Sequence, residues 1–248
     1  MSKRTGIAWT DATWNPWMGC TKVSPGCARC YMFRDQRRFR MNPQHVRRTM
    51  PATFDAPRTW HEPQRVFTCS WSDFFHPAAD AWRADAWAII RDTPHLTYQI
   101  LTKRPERIEA QLPADWGVTG YHNVWLGVSV ELQRHADRIA TLDNIRCFTK
   151  FVSAEPLLGP LDLPDPLDPV GDDERFLIDA LDWVIAGGES GPRARPCQED
   201  WLRTLAAQCA YHATPFFLKQ LGGHPNARAH ELAVLDGRTW TEIPAALR

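Results

Sequence analysis

The sequence predicts an α/β fold, a (β/α) barrel of the TIM type that is expected to be partial and to carry a C-terminal hairpin appendage. Three observations predict it. Short apolar runs recur along the chain, helical patterns separate them, and an Asp-Gly pair lies between two short strand-like stretches near the end. Strands that alternate with helices form right-handed βαβ units and hence a parallel sheet. Roughly seven such units fit a complete or incomplete barrel.

The predicted strands are short apolar runs that end in polar residues. They are rich in Val, Ile, Phe and Trp, which is typical of strands buried on both faces of a parallel sheet. The runs are Thr13–Trp17, Val66–Trp71, Leu96–Leu101, Val124–Val130, Cys147–Ser153, Trp183–Gly188 and Phe216–Leu218.

The predicted helices lie between these runs. Apolar residues recur along one face of the segments Ala79–Asp92 and Gln198–His212. The second of these begins with two acidic residues, which suit the positive end of a helix dipole. Further helices are predicted at Tyr31–Arg40, Pro105–Leu112 and Glu131–Leu142.

Two segments depart from this alternation. The stretch 161–175 is acidic and rich in proline, and we expect an exposed insertion loop there. The stretch 232–240 is expected to be a hairpin around Asp236-Gly237, because Asp-Gly is a favoured two-residue hairpin turn. The hairpin belongs to a C-terminal extension, residues 222–248, that would close the barrel or cover the edge of its sheet. Residues 1–248 are expected to form a single barrel domain.

The composition is that of an ordinary globular protein. Of 248 residues, 44% are hydrophobic and 23% are charged, and the net charge is zero, so no global charge attracts nucleic acid or anionic lipid. No stretch approaches the roughly 18 apolar residues of a membrane span. The N-terminus lacks the apolar core of a secretory signal. We therefore expect a cytoplasmic protein with reduced cysteines and no membrane partner.

Three cysteines form the most informative motif. Cys20, Cys27 and Cys30 follow the spacing Cys-x6-Cys-x2-Cys on a loop, residues 20–30, that Pro25 and Gly26 turn. Clustered thiolates on a turn-rich loop are typical of a soft metal centre. Three protein ligands leave one position of such a centre open, which favours chemistry or substrate binding over architecture. The other cysteines are single and are expected to be buried apolar residues: Cys69, Cys147, Cys197 and Cys209.

Two other interpretations of the loop stay open. A zinc site would need a distant histidine, since no fourth ligand lies at zinc-finger spacing. A disulfide with one leftover thiol is the other interpretation, which a reducing cytosol disfavours.

Polar residues follow the predicted strands. In parallel barrels the catalytic groups come from the C-terminal ends of the strands, and the cysteine loop also follows the first strand. We therefore expect a metal centre and a ring of charges at one mouth, although any strand that reaches solvent must end in something polar. The residues are Asp73, Lys103, Arg104, Glu131, Glu155, Glu189, Ser190, Lys219 and Gln220. The candidates for catalytic roles are Lys103, Glu155, Glu189 and Lys219.

Several stretches together resemble a known family. The cysteine loop resembles the radical S-adenosylmethionine (SAM) superfamily, although the first cysteine gap is longer here and the aromatic residue, Tyr31, follows the last cysteine. More closely, the chain is similar to the phage-type three-Cys-motif family, which is radical-SAM-like and has no assigned reaction. The matching stretches are residues 9–16, 20–31, 101–105, 124–131, 153–158, 183–191 and 216–220.

The resemblance implies a four-iron (4Fe-4S) cluster held by Cys20, Cys27 and Cys30, with one iron open to SAM. One electron from a donor would cleave SAM to methionine and a 5′-deoxyadenosyl radical, which abstracts hydrogen from an unidentified substrate. The resemblance also suggests a companion protein encoded nearby. The competing hypotheses are a non-enzymatic zinc or iron–sulfur protein that binds nucleic acid or senses redox state, and an enzyme whose cluster works without SAM.

Candidate SAM contacts follow from position in the predicted barrel. Ser72 and Asp73 are expected near the methionine ammonium group, Ser129 and Glu131 near the ribose hydroxyls. Lys103 would meet the methionine carboxylate.

The Gly-Gly-Glu-Ser-Gly stretch at 187–191 is a separate candidate. Glu189 is expected to contact adenine, ribose or substrate, and Ser190 beside it to bind the cofactor. The alternative is a tight turn leading to the next helix. This stretch follows the sixth strand, so it does not carry the role of the superfamily's Gly-Gly-Glu motif, which follows the second.

The segment Arg34–Arg48 is strongly basic, with six arginines and one aspartate. Together with Phe39 and His45, these charges could follow a phosphate backbone, so nucleic acid is a candidate partner. A solvated helix face is the simpler interpretation.

Overall fold

The computed structural model describes residues 5–167, 175–223 and 233–245. Its contacts divide the chain into two compact units, Met1–Gly127 with Ile145–Phe148 and Val128–Asn144 with Thr149–Arg248. Each unit combines parallel strands with helices, which confirms the α/β class.

The described part of the first unit has six strands and three helices. Its strands are β1 (Ala12–Trp14), β2 (Trp17–Met18), β3 (Arg47–Arg48), β4 (Gln64–Thr68), β5 (Leu96–Thr102) and β6 (Val124–Ser129), whose last two residues belong to the second unit. Its helices are α1 (Tyr31–Arg38), α2 (Pro51–Phe54) and α3 (Asp80–Asp92).

The sheet of the first unit is parallel and buried. Strand β4 pairs with β1 on one side and β5 on the other, so that Val66 lies opposite both Ala12 and Tyr98. These residues are fully buried, and the Trp14 ring packs edge-on to Tyr98 with centroids 5.6 Å apart. Burial explains why these strands appear in the sequence as short apolar runs.

The second unit is built from two helices and five further strands. These elements are α4 (Asp137–Asp143), β7 (Thr149–Ala154), β8 (Trp183–Gly187), α5 (Glu199–Tyr211), β9 (Phe216–Gln220), β10 (Val234–Leu235) and β11 (Arg238–Thr239). Strand β8 pairs in parallel with β7 and β9.

The predicted C-terminal hairpin is confirmed. Strands β10 and β11 pair antiparallel around Asp236 and Gly237, whose φ angles of 53° and 73° are those of a tight hairpin turn. The chain then runs along β9, where the Leu218 N–H donates to the Trp240 carbonyl at 2.9 Å. Residues 240–242 therefore lie along the β9 edge of the sheet, which is one of the two positions predicted for the extension.

The strand order is β1-β4-β5-β6 in the first unit and β7-β8-β9 in the second. Among the described residues, β2 and β3 pair with each other in a separate two-stranded sheet. Within each unit, successive strands of the main sheet are therefore neighbours, which is compatible with a partial (β/α) barrel. In the described ranges, no helix has the length and apolar character needed to cross a membrane.

Two predicted helices differ from the structure. The segment Pro105–Leu112 forms two short 3₁₀ turns, and it ends because Leu112 precedes Pro113 and takes an extended backbone. Helix α4 begins only at Asp137, because Leu132 is extended and a 3₁₀ turn follows it.

The predicted insertion loop is wrong at its first residues. Leu161 and Leu163 are buried, since the Leu163 backbone bonds to Gln208 and Ile178 and draws the segment into the core of the second unit. Asp162 and Asp165 are exposed, as predicted. Residues 168–174 lie outside the described residues.

Candidate functional site

The cysteine loop leaves β2 through Gly19 and ends at α1. The Gly19 N–H donates to the Trp71 carbonyl at 3.0 Å, and the Cys20 N–H donates to the Pro43 carbonyl at 2.9 Å. A 3₁₀ turn, Pro25–Cys27, follows, and Cys30 caps the N-terminus of α1. All three thiols are half-buried and free, so the loop contains no disulfide.

Cys20 lies beside a buried cation. An Arg104 N–H group lies 3.8 Å from the Cys20 sulfur. Burial raises the pKa of the Cys20 thiol to about 12, the Asp73 carboxylate raises it further, and Arg104 acts in the opposite direction. The guanidinium is therefore placed to stabilise a thiolate once the proton has been displaced.

Cys30 also lies beside groups that favour its thiolate. Burial raises the pKa of its thiol, while the N–H groups of Met32 and Phe33 and the Lys103 ammonium group favour the thiolate. Among the described residues, the Lys103 side chain makes no hydrogen bond or ion pair. It is thus a cation whose charge acts on the Cys30 thiol. Its contact with the methionine carboxylate of SAM stays a prediction.

Asp73 and Arg104 form a buried ion pair, 2.9 Å apart. Asp73 also accepts hydrogen bonds from the Thr102 hydroxyl at 2.8 Å and from the backbone N–H groups of Phe75 and Lys103. Its carboxylate is thereby saturated. In this structure the neighbouring Ser72 hydroxyl donates to the Gly19 carbonyl. Their contact with a SAM ammonium group stays a prediction.

Arg104 connects this pair to the cysteine loop. Its second amino group donates to the carbonyl and hydroxyl oxygens of Thr21, at 3.0 and 2.9 Å. The sequence indicated Arg104 only as a polar residue after a strand. A role in holding the loop depends on contacts between residues 83 positions apart.

His76 is a further residue that the sequence analysis missed. Its Nδ1 atom accepts the Ala78 N–H, so its Nε2 carries the proton and faces the Thr21 hydroxyl at 3.1 Å. Burial lowers the pKa of His76, and Arg104 lowers it further. The ring is therefore a neutral support for the cysteine loop.

In the second unit, Glu131 is fully buried. It forms an ion pair with Arg138 at 3.0 Å, and its other oxygen lies 3.3 Å from Nδ1 of His135, whose pKa is lowered by burial. Arg138 also donates to the Ser129 carbonyl at 2.7 Å. The predicted ribose contacts, Ser129 and Glu131, therefore share one arginine.

The structure brings together two predicted catalytic residues, Glu155 and Lys219. Glu155 follows β7, Lys219 lies in β9, and their side chains form an ion pair 2.9 Å apart. The strand between them ends at Gly187, where an added Cβ would lie 3.1 Å from a Glu155 oxygen. Glycine at this position leaves room for the pair.

Glu189 and Ser190 differ in environment. Glu189 is buried and bonded by the Arg195 guanidinium and its backbone N–H, whereas Ser190 is exposed. At Gly188 an added Cβ would lie 2.4 Å from the Leu221 carbonyl oxygen, so the backbones are in close contact. This geometry agrees with the tight-turn alternative. The binding roles of both side chains stay predictions.

The donor set of the cysteine loop determines whether a metal centre fits. Within the described residues, no three or more His, Cys, Asp or Glu side chains are grouped to hold a metal ion. In an iron–sulfur cluster each cysteine binds a different iron, so the sulfurs need not converge on one point. Cys27 is near enough to raise the pKa values of both Cys20 and Cys30, and cations lie beside these two thiols. The thiol set therefore fits a cluster chemically.

Comparison with known proteins gives one match. A family model described as "Protein of unknown function (DUF5131)" matches residues 4–244. The chain matches no curated protein and no solved structure.

Proposed function

Because the chain belongs to the DUF5131 family, whose function is unknown, we propose a function from the chemistry of the site itself. We propose a partial (β/α) barrel of the radical SAM type that acts as an iron–sulfur enzyme in the cytoplasm. The observation that carries the proposal is the loop of three reduced thiols with cations placed against two of them. Three thiols leave one cluster iron without a protein ligand, which is the position that SAM needs.

Cys20, Cys27 and Cys30 would hold the cluster. When bound and reduced by one electron from a donor, the cluster and SAM supply a 5′-deoxyadenosyl radical and methionine by breaking the sulfur–C5′ bond, and the radical takes hydrogen from the substrate.

The surrounding side chains orient and neutralise these groups. Arg104 offsets the charge of the Cys20 thiolate, and the first N–H groups of α1 offset that of Cys30. The Lys103 ammonium group is proposed to bind the methionine carboxylate. Ser72, Asp73, Ser129, Glu131 and Ser190 remain proposed cofactor contacts.

Three acidic or basic residues of the second unit are proposed to act on the substrate. Glu155 and Lys219 are in direct contact and can hold or exchange a proton. Glu189 is proposed to bind substrate or adenosine if Arg195 releases one of its oxygens.

The test is anaerobic purification and reconstitution with iron and sulfide. Iron, sulfide and zinc are counted, the visible spectrum is recorded, and dithionite and SAM are added. We expect about four irons per chain and formation of 5′-deoxyadenosine. One zinc, no bound iron and no SAM cleavage would overturn the proposal in favour of a metal-stabilised binding protein.

Cysteine variants separate the cluster from the fold. Cys20→Ala, Cys27→Ala and Cys30→Ala should each lose the cluster and SAM cleavage while circular dichroism stays unchanged. Cys197→Ala is the matched control, because Cys197 is also half-buried and free but lies outside the loop. Equal iron loss in this control would show that the three thiols are not the ligands.

A further inference from the structure

A surplus of positive charge lies near the N-terminal end of the sequence. The whole chain is neutral, but residues 12–54 contain eight basic residues and one acidic residue, Asp35. A local surplus of this size creates a positive potential that a neutral chain does not show on average.

Three of these charges lie on the solvent side of helix α1 and just after its end. Met32, Phe33 and Gln36 are buried in the first unit, which leaves the opposite face to the arginines. Arg37, Arg38 and Arg40 are exposed. Among the described residues, the guanidinium groups of these three make no hydrogen bond or ion pair.

The other arginines of the segment are engaged within the protein. Arg34 pairs with Asp35, and Arg48 pairs with Asp85. The Arg47 guanidinium donates to the Gln36 side chain. The unsatisfied charge is therefore confined to the C-terminal end of α1 and the residues that follow it.

Large apolar side chains are exposed among these charges. Phe39 is 61% exposed and Met41 is 43% exposed. The Phe39 ring contacts the Trp71 ring, with centroids 6.3 Å apart, and the rest of the Phe39 ring is open to solvent. A solvated helix face would mix charges of both signs and would not expose a large aromatic ring.

We propose that this basic surface, formed by Arg37, Arg38, Phe39, Arg40 and Met41, binds single-stranded nucleic acid. The three arginines would contact successive phosphates, and an unpaired base would stack on Phe39. A single strand is favoured over a duplex because duplex bases are already stacked on one another. An anionic membrane is disfavoured because the apolar face of α1 is buried in the protein and cannot insert.

The proposal goes beyond the iron–sulfur function and does not depend on it. Its test uses the full chain without cluster or SAM, so its failure would leave the enzymatic proposal untouched. A fluorescent single-stranded RNA or DNA of about twelve nucleotides, long enough for one binding site, is titrated with protein and followed by fluorescence polarisation.

The salt dependence measures the number of phosphate contacts. Three contacts to a single strand predict a slope of about −2 in log affinity against log salt, or roughly a twenty-fold loss between about 50 and 200 mM salt. No polarisation change at about 50 mM salt with protein at about 100 μM would overturn the proposal. That concentration reaches the weak end of the range for non-specific binding at physiological salt, and lower salt strengthens such binding.

Matched variants locate the surface. Arg37→Glu with Arg38→Glu should lower affinity at least ten-fold and flatten the salt slope, whereas Arg134→Glu, an exposed arginine of the second unit, should not. Phe39→Ala should lower affinity about five-fold or more through lost stacking, and Tyr211→Ala, which removes an even more exposed ring, should leave it unchanged.

Two further probes identify the ligand class. Heparin tests for a general polyanion surface, and phosphatidylserine vesicles test for a membrane surface. Affinity for heparin equal to that for the oligonucleotide, with Phe39→Ala without effect on either, would overturn recognition of a strand. Vesicle binding without oligonucleotide binding would overturn it in favour of a lipid surface.

Discussion

At the scale of single residues, Arg104 has the greatest influence on the candidate site. It pairs with Asp73, bonds to Thr21 and approaches the Cys20 sulfur. Both Asp73 and Arg104 are almost completely buried, so each is the main charge partner of the other. Loss of one would leave the other as a buried charge without compensation.

We predict that Arg104→Gln destabilises the protein by about 3–5 kcal/mol, because the Asp73 carboxylate stays buried without its cation. Urea unfolding of the metal-free protein measures the change. Arg34→Gln is the control, since it breaks an exposed ion pair with Asp35 and should cost less than about 1 kcal/mol. If the two variants lose the same unfolding free energy, the buried Asp73–Arg104 pair contributes no more to stability than an exposed ion pair does.

At the scale of elements, the cysteine loop depends on the backbone that enters it. Gly19 has a φ of +97°, and an added Cβ would lie 2.4 Å from the His45 carbonyl oxygen. Two constraints therefore act together: the left-handed backbone favours glycine, and the neighbouring chain leaves no space. The loop position follows from this contact as much as from its own sequence.

We predict that Gly19→Ala displaces the loop and destabilises the first unit by more than Gly117→Ala does. Gly117 also has a positive φ, 75°, but no atom lies within 4 Å of an added Cβ. The control should therefore cost only the backbone strain, about 1–2 kcal/mol. Chemical denaturation of both variants isolates the steric contribution at Gly19. An equal loss of unfolding free energy in the two variants would mean that the backbone around His45 moves away from the added Cβ without destabilising the fold.

The elements that could be predicted from sequence are those whose own periodicity decides their structure. Strand β5 was expected at Leu96–Leu101 and helix α3 at Ala79–Asp92, and both agree with the structure to within one residue at either end. The hairpin at Asp236-Gly237 was predictable because its turn chemistry is local. Burial of Leu163 was not predictable, because its surroundings come from residues far along the chain.

The same division applies to the candidate site. The cysteine spacing identifies the three thiols as candidate ligands. Lys103 and Glu155 are identified because each of them follows a predicted strand. The contacts of Arg104 and His76 with Thr21 join distant parts of the chain, so no local pattern reveals them. The pairing of Asp73 with Arg104 and of Glu189 with Arg195 is likewise a property of the folded chain and not of a local sequence pattern.

At the scale of the whole molecule, charge balance is the main property that sequence alone determines. Equal numbers of acidic and basic residues, 29 of each, give a pI near 7.1. Burial lowers the pKa values of His76 and His135, so these two rings gain charge only at a lower pH than an ordinary histidine does.

Several groups stay protonated well into the alkaline range. Burial raises the thiol pKa values of Cys20 and Cys209 to about 12 and that of Cys197 to about 11. Burial and the neighbouring Asp115 carboxylate also raise the pKa of Tyr121, to about 12. These four groups therefore add no negative charge near neutral pH.

We predict a solubility minimum near the pI, with recovery toward about pH 5.5 and toward about pH 9, because repulsion between molecules grows with net charge on either side. Precipitation by polyethylene glycol across this range measures it. Arg134→Glu replaces a positive charge by a negative one at an exposed position, so it should move the minimum to lower pH and raise solubility at pH 7. A minimum that does not move would mean that apolar association rather than net charge controls solubility. The exposed Phe39 and Met41 of the basic surface would then be the first side chains to replace.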